Sequence, residues 1–483
     1  MKLSILLSLL SLTALSLSGA EKPNVLFIAI DDLRPELGCY GERHMVTPHL
    51  DKLASEGRLF RNHYVQVPTC GASRYAMLTG KYPRQAAAMG NNAASLAPKT
   101  EPSPPYSLPM LFRKNGYETV CLGKISHSAD GMKGDDKSKT RNGEPELPYS
   151  WDVIWGPSGE WHDSWRAFFG YAGGKTRDRK TTPAFEGADV SDNGYPDGLT
   201  TEEAIKQLNR LKDKPFFLAV GFYKPHLPFN APKKYWDLYD AKKLPSAPFK
   251  DAPANADPKI SLHKGGELLG QYTFDGGKVT TVDDANAAKL RHAYFAAVSY
   301  TDAQVGRVLD ELDKLGLNKK TIVVVWGDHG WHLGDHGVWG KHTLHERSLR
   351  SAFIVRSPNQ KQPGKATDAI VEAIDILPTL TAFAGIPAMP AGDGQSLIPL
   401  LENPQAKWSN PALSFWRNGG HTGQSIRTDR YRLTRWINDK TKEVGQMELY
   451  DHLNDPYETK NIALKEPKMV EQLSRQLLRQ ADN

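Results

Sequence analysis

The stretch PNVLFIAIDD, residues 23–32, joins a continuous apolar run to two aspartates. A short run of this kind predicts a strand buried on both faces, as in parallel sheets. The pattern recurs in KPFFLAVGFYKPH, residues 214–226, and in TIVVVWGDHG, residues 321–330. Helical patterns lie between these strands, one of them capped by Thr47 and another over residues 288–315. This alternation predicts an α/β fold with a doubly wound, mostly parallel sheet.

Three further segments extend the alternation of helices and strands. SRYAMLTG, residues 73–80, predicts a short helix. SLPMLFRKNGYETVCLGK, residues 107–124, predicts a helix closed by Gly116 and a strand ending at Lys124. AIVEAIDILPTLTAFAG, residues 369–385, predicts another helix.

The character of the sequence changes near Gln395. IRTDRYRLTRW, residues 426–436, and QMELYDHLNDP, residues 446–456, predict antiparallel strands joined by turns, with a final helix after them. We therefore predict a large α/β domain over residues 21–395 and a smaller C-terminal α+β domain, with an antiparallel sheet and a helix, over residues 396–483.

The first twenty residues predict export. Lys2 precedes LSILLSLLSLTALSLSGA, an apolar run that ends in small residues, which is typical of a signal peptide over residues 1–20 with a cut after Ala20. The run is too short for a spanning helix, and no cysteine follows the cut to carry a lipid anchor. We expect a secreted or periplasmic protein with no membrane span. The net charge of +6 is mild and no like-charge run indicates a nucleic-acid partner.

Two long stretches interrupt the pattern of strands and helices. Residues 128–198 are polar and glycine-rich, and residues 241–284 are rich in proline and lysine. Such insertions are often functional loops, and a solvated insertion is the alternative. The tryptophans of the first stretch are Trp151, Trp155, Trp161 and Trp165.

The chain has three cysteines, and this odd number excludes a disulfide scaffold. We expect Cys39 and Cys121 to be small buried hydrophobic residues. Cys70 lies in VPTCGASRYAMLTGKYP, residues 67–83, where it opens a helix.

Acidic residues end two of the predicted strands. In an open parallel sheet, ligands bind beyond the carboxyl ends of the strands. Asp31 and Asp32 follow the first strand, and Asp328 and His329 follow TIVVVWG. Adjacent buried carboxylates need a cation, and oxygen ligands favour calcium or magnesium over zinc. An aspartate that caps the following turn is the alternative for this pair.

Basic residues gather at the same edge of the predicted sheet. Lys124 closes one strand and His127 follows it, His226 follows FFLAVGFYKP, and Lys341 lies beyond His329. A single histidine at a strand end is more often structural. Together these side chains suit a tetrahedral anion whose leaving oxygen needs a proton.

The motif CGASR, residues 70–74, followed by LTGKYP, resembles the signature of the type I sulfatases. IAIDDLRPELGCYG, TPHLDKLASEG, GKISH, FYKPHLPF, WGDHGWHLGDHGVWGK and ELYDHLNDPYETKN also resemble segments of this family, in order, over nearly the whole chain. The segment DDLRPELGCYG and the three-residue step from Lys124 to His127 are similar to the iduronate-2-sulfatase-like branch. The resemblance implies an alkaline-phosphatase-like fold, with the sulfatase catalytic domain at residues 21–395.

The resemblance also implies a nucleophile and a metal. Cys70 would be oxidised after translation to formylglycine, whose hydrate attacks sulfur, and Arg74 would hold that hydrate. Lys124 and Lys341 would bind sulfate oxygens, His226 would protonate the leaving oxygen, and His127 would act as a base. One calcium ion would bind at the site. Its ligands would be Asp31, Asp32, Asp328, His329 and the modified Cys70.

The implied substrate is a sulfated glycan, either a uronate 2-O-sulfate or an algal polysaccharide sulfate. The tryptophan-rich stretch fits this class because aromatic faces stack on sugars. The family signature most often has proline at its third position, where this chain has Ala72. Ala72 therefore leaves open which formylglycine-generating maturation enzyme is the partner.

Two other functions are alternatives to a sulfatase. A phosphodiester or phosphonate hydrolase of the same superfold would share the metal site. A secreted glycan-binding protein with a degenerate site would have lost ligands, whereas every expected position is filled here.

Overall fold

The computed structural model describes residues 22–134, 143–179, 181–263, 265–274, 277–278, 280–387, 389 and 392–481. The predicted signal peptide lies outside these described residues. In chain order, the strands are β1 (Asn24–Ile30), β2 (Arg58–Tyr64), β3 (Glu118–Gly123), β4 (Val153–Trp155), β5 (Phe185–Glu186), β6 (Phe216–Phe222), β7 (Phe229–Asn230), β8 (Thr273–Phe274), β9 (Gly277–Lys278), β10 (Thr321–Gly327), β11 (His332–Leu333), β12 (Trp339–Gly340), β13 (Phe353–Arg356), β14 (Ala366–Glu372), β15 (Ala412–Asn418), β16 (His421–Arg427), β17 (Tyr431–Asn438) and β18 (Val444–Asp451). The helices are α1 (Pro48–Glu56), α2 (Cys70–Thr79), α3 (Leu108–Lys114), α4 (Ser164–Phe168), α5 (Pro196–Leu211), α6 (Lys233–Trp236), α7 (Pro258–Ser261), α8 (Gly266–Gln271), α9 (Asp284–Lys314), α10 (Glu346–Leu349), α11 (Ile376–Phe383), α12 (Ile398–Glu402) and α13 (Pro467–Ala481).

A mixed eight-stranded sheet forms the centre of the larger domain, in the order β14-β2-β13-β10-β1-β6-β3-β4. β13 runs antiparallel to both of its neighbours, whereas the other neighbouring pairs of this sheet are parallel. The predicted mostly parallel sheet is therefore confirmed.

Strand β1 lies near the middle of this sheet and is buried on both faces. Leu26 and Ile28 pack into the core beneath α1, α5 and α9. Val25 and Phe27 pack into the opposite core, beneath α2, α3 and α11. Full burial of one such side chain contributes about 1.5–3 kcal/mol. This apolar support offsets the cost of burying charged groups where the strand ends.

Helix α1 begins as predicted, with Thr47 at the N-cap and Pro48 in the first turn. The Thr47 side chain does not cap the helix. Instead the Asp302 carboxylate, carried by α9, accepts hydrogen bonds from the backbone N–H groups of His49 at 3.2 Å and Leu50 at 2.7 Å. A buried carboxylate from a distant helix therefore caps α1.

The helix predicted over residues 369–385 is wrong in its first part. The chain stays extended in β14 up to Glu372, passes through a 3-10 turn and becomes helical at Ile376. Ile370 and Val371 pair with β2 in a parallel register and are buried. Tertiary pairing of these β-branched residues outweighs the helical periodicity of the segment.

Strands β15 to β18 form a four-stranded antiparallel sheet, and α13 packs against it. Leu433 and Leu449 of the sheet form a core with Leu473 and Leu477 of the helix. The predicted antiparallel sheet and final helix are confirmed, and the boundary after Gln395 stays a prediction.

A buried ionic cluster, called here the junction cluster, joins this sheet to the larger domain. Glu458 accepts hydrogen bonds from Arg432 Nε at 2.6 Å and from the backbone N–H of Glu346 at 2.8 Å. Its carboxylate oxygens also lie 3.1 Å from His345 Nδ1 and 3.0 Å from His452 Nε2. Burial alone would raise the pKa of Glu458, but Arg432 and the two histidines hold it well below its ordinary value.

Candidate active site

The sheet brings the predicted strand-end residues together. β10, β1, β6 and β3 are consecutive neighbours, so their carboxyl ends meet at one edge. Backbone hydrogen bonds continue the ladder one residue beyond the strands, from Asp31 N–H to Phe222 at 3.3 Å and from Asp328 N–H to Ile30 at 3.3 Å. Lys124 lies directly after β3, so all three side chains start at the same level. The buried ionic group formed here is called the strand-end cluster. Its members are Asp31, Asp32, Arg74, Lys124, Asp328 and Lys341.

Cys70 is the first residue of α2 and its side chain points at the same edge. Its Sγ lies 3.3 Å from His329 Nε2. His329 Nδ1 lies 3.0 Å from the Gly330 carbonyl, so Nδ1 is the donor there and Nε2 faces the sulfur. Burial, with Asp31 nearby, raises the pKa of Cys70 to about 12. The unmodified thiol therefore stays protonated at neutral pH, unlike the thiolates of reactive cysteines.

The residues after Cys70 explain the motif sterically. A side chain at position 71 would place its Cβ 2.1 Å from the Asn91 carbonyl oxygen, so only glycine fits. Ala72 is fully buried against Val67 and Ala93. Ser73 Oγ donates a hydrogen bond to the Asp328 carbonyl. The motif thus fixes the start of α2 against the end of β10.

Arg74 connects the two central strand ends. Its Nε donates to Asp328 Oδ2 at 2.9 Å and its Nη2 donates to Asp31 Oδ1 at 3.1 Å. Its Nη1 donates to the Lys124 carbonyl. This guanidinium is fully buried, and its hydrogen bonds orient both carboxylates.

Two buried lysines each pair with one of the two adjacent aspartates. Lys124 Nζ donates to Asp31 Oδ2 and lies 4.3 Å from the centre of the Phe168 ring. Lys341 Nζ donates to Asp32 Oδ1 at 2.9 Å and lies 5.1 Å from the Trp331 ring. Burial alone would lower the pKa of each lysine, but the carboxylates raise both above their ordinary value.

The two predicted histidines lie beside these lysines. His226 Nδ1 is 2.6 Å from the Leu227 carbonyl, and burial together with Lys341 lowers the pKa of His226 to about 4. Burial and then Lys124 lower the pKa of His127 to about 3. The buried Nδ1 of His127 has no hydrogen-bond partner among the described residues. Burial thus disfavours the charged form of both rings.

The donor set fits a hard divalent cation. Asp31, Cys70, Asp328 and His329 each offer one ligand atom, and these atoms lie within 4.8 Å of one another. Asp32 adjoins them in a left-handed backbone conformation, with φ of 60°. Burial raises the pKa of Asp32 well above its ordinary value in spite of Lys341, and Asp31 raises it further. Crowded buried carboxylates of this kind are stabilised by a cation with oxygen ligands.

The structure adds residues that the sequence did not indicate. Glu267 Oε1 lies 2.9 Å from His226 Nε2. Asp197 accepts hydrogen bonds from the backbone N–H groups of Tyr223 and Lys224, both at 2.8 Å, and so fixes the turn before His226. Glu267 lies in the lysine-rich insertion, where no motif or strand end marks it.

The tryptophan-rich stretch is largely structural. Trp161 is 2% exposed and donates to the Tyr171 carbonyl at 2.9 Å. Trp151 packs on Phe217, with ring centroids 6.1 Å apart. Trp155 lies in β4, the edge strand of the main sheet. The expectation that these rings stack on sugars is therefore not supported for Trp161, which is buried, or for Trp151, which packs against the core.

No helix in the described part of the chain combines the length and the apolar character needed to cross a membrane.

Comparison with known proteins agrees with this geometry. Residues 23–386 match the family described as Sulfatase, and residues 334–483 match the family described as N-sulphoglucosamine sulphohydrolase, C-terminal. The chain is 30% identical to Iduronate 2-sulfatase of Mus musculus, with 92% of this chain and 91% of the mouse protein covered. It is 30% identical to a protein named Sulfatase of Formosa agariphila, with 92% and 83% covered.

A solved structure shows the same architecture. The phosphonate monoester hydrolase of Agrobacterium radiobacter has a TM-score of 0.76 and 23% identity, and the match covers 95% of each chain. This likeness shows the fold, which is alkaline-phosphatase-like.

Proposed function

The chain belongs to the sulfatase family and is a sulfuric ester hydrolase, and we propose that it acts through a formylglycine at position 70 and one calcium ion. The proposed substrate is a sulfated carbohydrate, either a uronate 2-O-sulfate or an algal polysaccharide sulfate. The observation that carries this proposal is the arrangement of Cys70 with Asp31, Asp328 and His329, whose ligand atoms lie within 4.8 Å of one another.

The proposed nucleophile is supported by the position of Cys70. A thiol that burial keeps protonated is a poor nucleophile, whereas a hydrated aldehyde at the same place supplies a hydroxyl that can attack sulfur. Arg74 would orient that hydroxyl pair, since its guanidinium already faces Asp31 and Asp328. His127 would take up a proton beside it.

The proposed calcium site uses Asp31, Asp32, Asp328, His329 and the modified side chain at position 70. Calcium there would supply positive charge to a sulfate oxygen and would acidify the nucleophilic hydroxyl. The direct ligation by His329 is part of the proposal, because nitrogen is a less usual ligand for this ion.

The proposed sulfate-binding groups are Lys124 and Lys341. Both ammonium groups lie at the strand ends and are held charged by carboxylates. His226 would donate a proton to the leaving sugar oxygen. Lys341 is the neighbour that most lowers the pKa of His226 after burial itself, so a bound sulfate that pairs with Lys341 would favour the protonated ring.

The substrate class is supported by the named relatives. The mouse relative is named Iduronate 2-sulfatase, and a second Formosa agariphila protein, 28% identical to this chain, is named Ulvan-active sulfatase. These names favour a sulfated uronate or algal sugar for this chain.

Two further proposals concern the export and the maturation of the protein. Residues 1–20 would direct export, which predicts a protein in the periplasm or medium that starts after Ala20. A formylglycine-generating enzyme would be the maturation partner. Since Cys70 is 3% exposed in the folded chain, that enzyme would need access before α2 is covered.

Mass spectrometry of the peptide that carries residue 70 tests the proposal first. Protein made with its own maturation partner is expected to carry formylglycine there and to release sulfate from 2-O-sulfated uronate disaccharides or sulfated algal oligosaccharides. An intact cysteine, with a control sulfatase converted in the same cells, would contradict the mechanism.

A competition assay separates the proposal from a phosphodiester or phosphonate hydrolase. Equal concentrations of a sulfate monoester and a phosphodiester of the same alcohol are offered to the converted protein, and sulfate release is expected to dominate. Asp31→Ala should abolish turnover, and unchanged turnover in that variant would contradict the metal assignment.

A further inference from the structure

Glu267 lies at the mouth of the site, on the short helix α8. Its Oε1 is 2.9 Å from His226 Nε2 and its Oε2 is 3.3 Å from Lys341 Nζ. The Glu267 side chain is 21% exposed, against 5% for His226 and 4% for Lys341. The carboxylate therefore covers both groups from the solvent side, where a substrate must enter.

The C-terminal sheet holds this segment in place. Asn418 Nδ2, at the end of β15, donates to the carbonyls of Ile260 at 2.7 Å and Leu262 at 3.2 Å, just before α8. Trp416 of the same strand stacks on the His342 ring, with centroids 5.0 Å apart. β15 thus anchors both the segment just before α8 and the residue that follows Lys341. Glu267 therefore does not lie on a free loop end.

Substrate binding would take both hydrogen-bond donors, His226 and Lys341, away from Glu267. The leaving oxygen of the ester needs His226 Nε2, and a sulfate oxygen needs Lys341 Nζ. Once these contacts form, the Glu267 carboxylate loses its two donors while staying next to the leaving oxygen. A carboxylate in a mostly buried position requires replacement donors.

A hydroxyl group on the carbon next to the ester can supply that donor. Vicinal oxygens of a sugar ring lie close together, so a group that hydrogen-bonds to Glu267 can sit beside the oxygen that reaches His226. We propose that Glu267 determines specificity by accepting a hydrogen bond from a free hydroxyl vicinal to the sulfate ester. This inference rests on the proposed function of the site.

The charge balance of the site adds a second consequence. The inner carboxylates are already matched by buried cations, so Glu267 is a further negative charge at the mouth. The paired inner groups are Asp31, Asp32 and Asp328 with Arg74, Lys124 and Lys341. A second sulfate or a carboxylate on the vicinal carbon would meet Glu267 as a like charge. The enzyme therefore prefers a sugar whose neighbouring position is unsulfated.

Three methyl glycosides of 2-O-sulfated iduronate test this inference. They carry a free hydroxyl, a methyl ether or a second sulfate at the 3-position. In converted wild-type protein, kcat/KM is expected to fall by about tenfold or more from the hydroxyl to the ether, and further for the disulfate. Glu267→Gln should raise the ratio of disulfate to hydroxyl kcat/KM by about tenfold. Glu267→Ala should remove the preference for hydroxyl over ether.

Two further variants make the test decisive. Glu402→Gln makes the same substitution at an exposed position and should leave all three ratios unchanged. Glu267→Ala replaces the glutamine variant if that variant does not fold, and it should likewise raise the ratio of disulfate to hydroxyl kcat/KM. Glu267→Asp keeps the charge and should keep the discrimination against the disulfate. Ratios in the neutral variants that equal those of wild type overturn the inference. Absence of turnover of the first glycoside by converted wild-type protein contradicts the uronate 2-O-sulfate form of the proposed function, and this outcome is distinct from equal ratios in a protein that turns the glycoside over.

Discussion

The junction cluster and the strand-end cluster are both buried and use the same kinds of side chain. At the junction, the single carboxylate of Glu458 receives four donors, and Arg432 bridges it to Glu346, to which its Nη2 donates at 2.6 Å. At the strand ends, Asp31 and Asp32 are adjacent in sequence and share one buried space with Asp328. One cluster surrounds an anion with donors, whereas the other brings anions together.

The pKa values show what this difference means. The pKa of Glu458 is held well below its ordinary value, so its charged form is favoured by the fold. The pKa of Asp32 is raised well above its ordinary value by burial and by Asp31, although Lys341 opposes this. The junction cluster favours the charged form of its carboxylate, whereas the strand-end cluster crowds three carboxylates together and raises the pKa of Asp32. The four predictions below test that distinction.

The largest expected effect is at Cys70. Cys70→Ala removes the residue that becomes the nucleophile, so sulfate release should fall by at least about 10⁴-fold. The side chain is small and makes one polar contact, so the urea midpoint should hardly change. Ion chromatography of released sulfate and a urea titration measure the two quantities. Retained turnover would show that position 70 is not the nucleophile.

The next effect separates function from stability within the strand-end cluster. Asp32→Asn should lower turnover by at least about 10³-fold, because one proposed cation ligand is lost. It also relieves crowding with Asp31, so in chelator-treated protein the free energy of unfolding should stay the same or rise by about 1 kcal/mol. Asp31→Asn is the matched control, since it unpairs Lys124 and Arg74 and should destabilise by about 3 kcal/mol. A large loss of stability in Asp32→Asn would show that the strand-end cluster stabilises the fold in the same way as the junction cluster.

The junction cluster should behave in the opposite way. Glu458→Gln leaves Arg432 and two histidines around a neutral side chain, and should lower the free energy of unfolding by about 3 kcal/mol. Turnover per folded molecule should stay near wild type, because no residue of the proposed catalytic set contacts Glu458 among the described residues. Urea unfolding measures the free energy of unfolding, and active-site titration gives the turnover per folded molecule. A selective loss of kcat with unchanged stability would place Glu458 in the catalytic machinery.

The last effect concerns the pH dependence of stability and Asp302, a buried carboxylate with backbone donors in place of cations. Burial raises the pKa of Asp302 to about 7. A carboxyl whose pKa is raised on folding stabilises fully below its unfolded pKa, and that stability is lost as the pH rises through 7. The free energy of unfolding should therefore fall between pH 4 and 7, with a slope of up to about 1.4 kcal/mol per pH unit from this group. Asp302→Asn should flatten the plot of unfolding free energy against pH between pH 4 and 7. An unchanged slope would show that other groups produce it.

Strand ends were the part of this molecule that the sequence predicted best. Asp31, Lys124 and Asp328 each follow an apolar run, and parallel pairing brings such positions to one edge whatever lies between them. Glu267 and Glu458 carry no comparable signal, because neither follows an apolar run and most of their partners are far away in sequence. The turn from β14 into α11 was also missed, since its pairing with β2 is a long-range contact.

The distance along the chain between Cys70 and His329 has a consequence in time. These residues touch in the folded protein but are 259 positions apart. At a synthesis rate of about 5–20 residues per second, roughly 13–50 s pass between the emergence of Cys70 and that of the residue that covers it. During synthesis the cysteine is therefore exposed for most of a minute at slow elongation. The separation of these two residues along the chain thus limits the time in which the nucleophile can be modified during synthesis, and faster elongation would shorten that time.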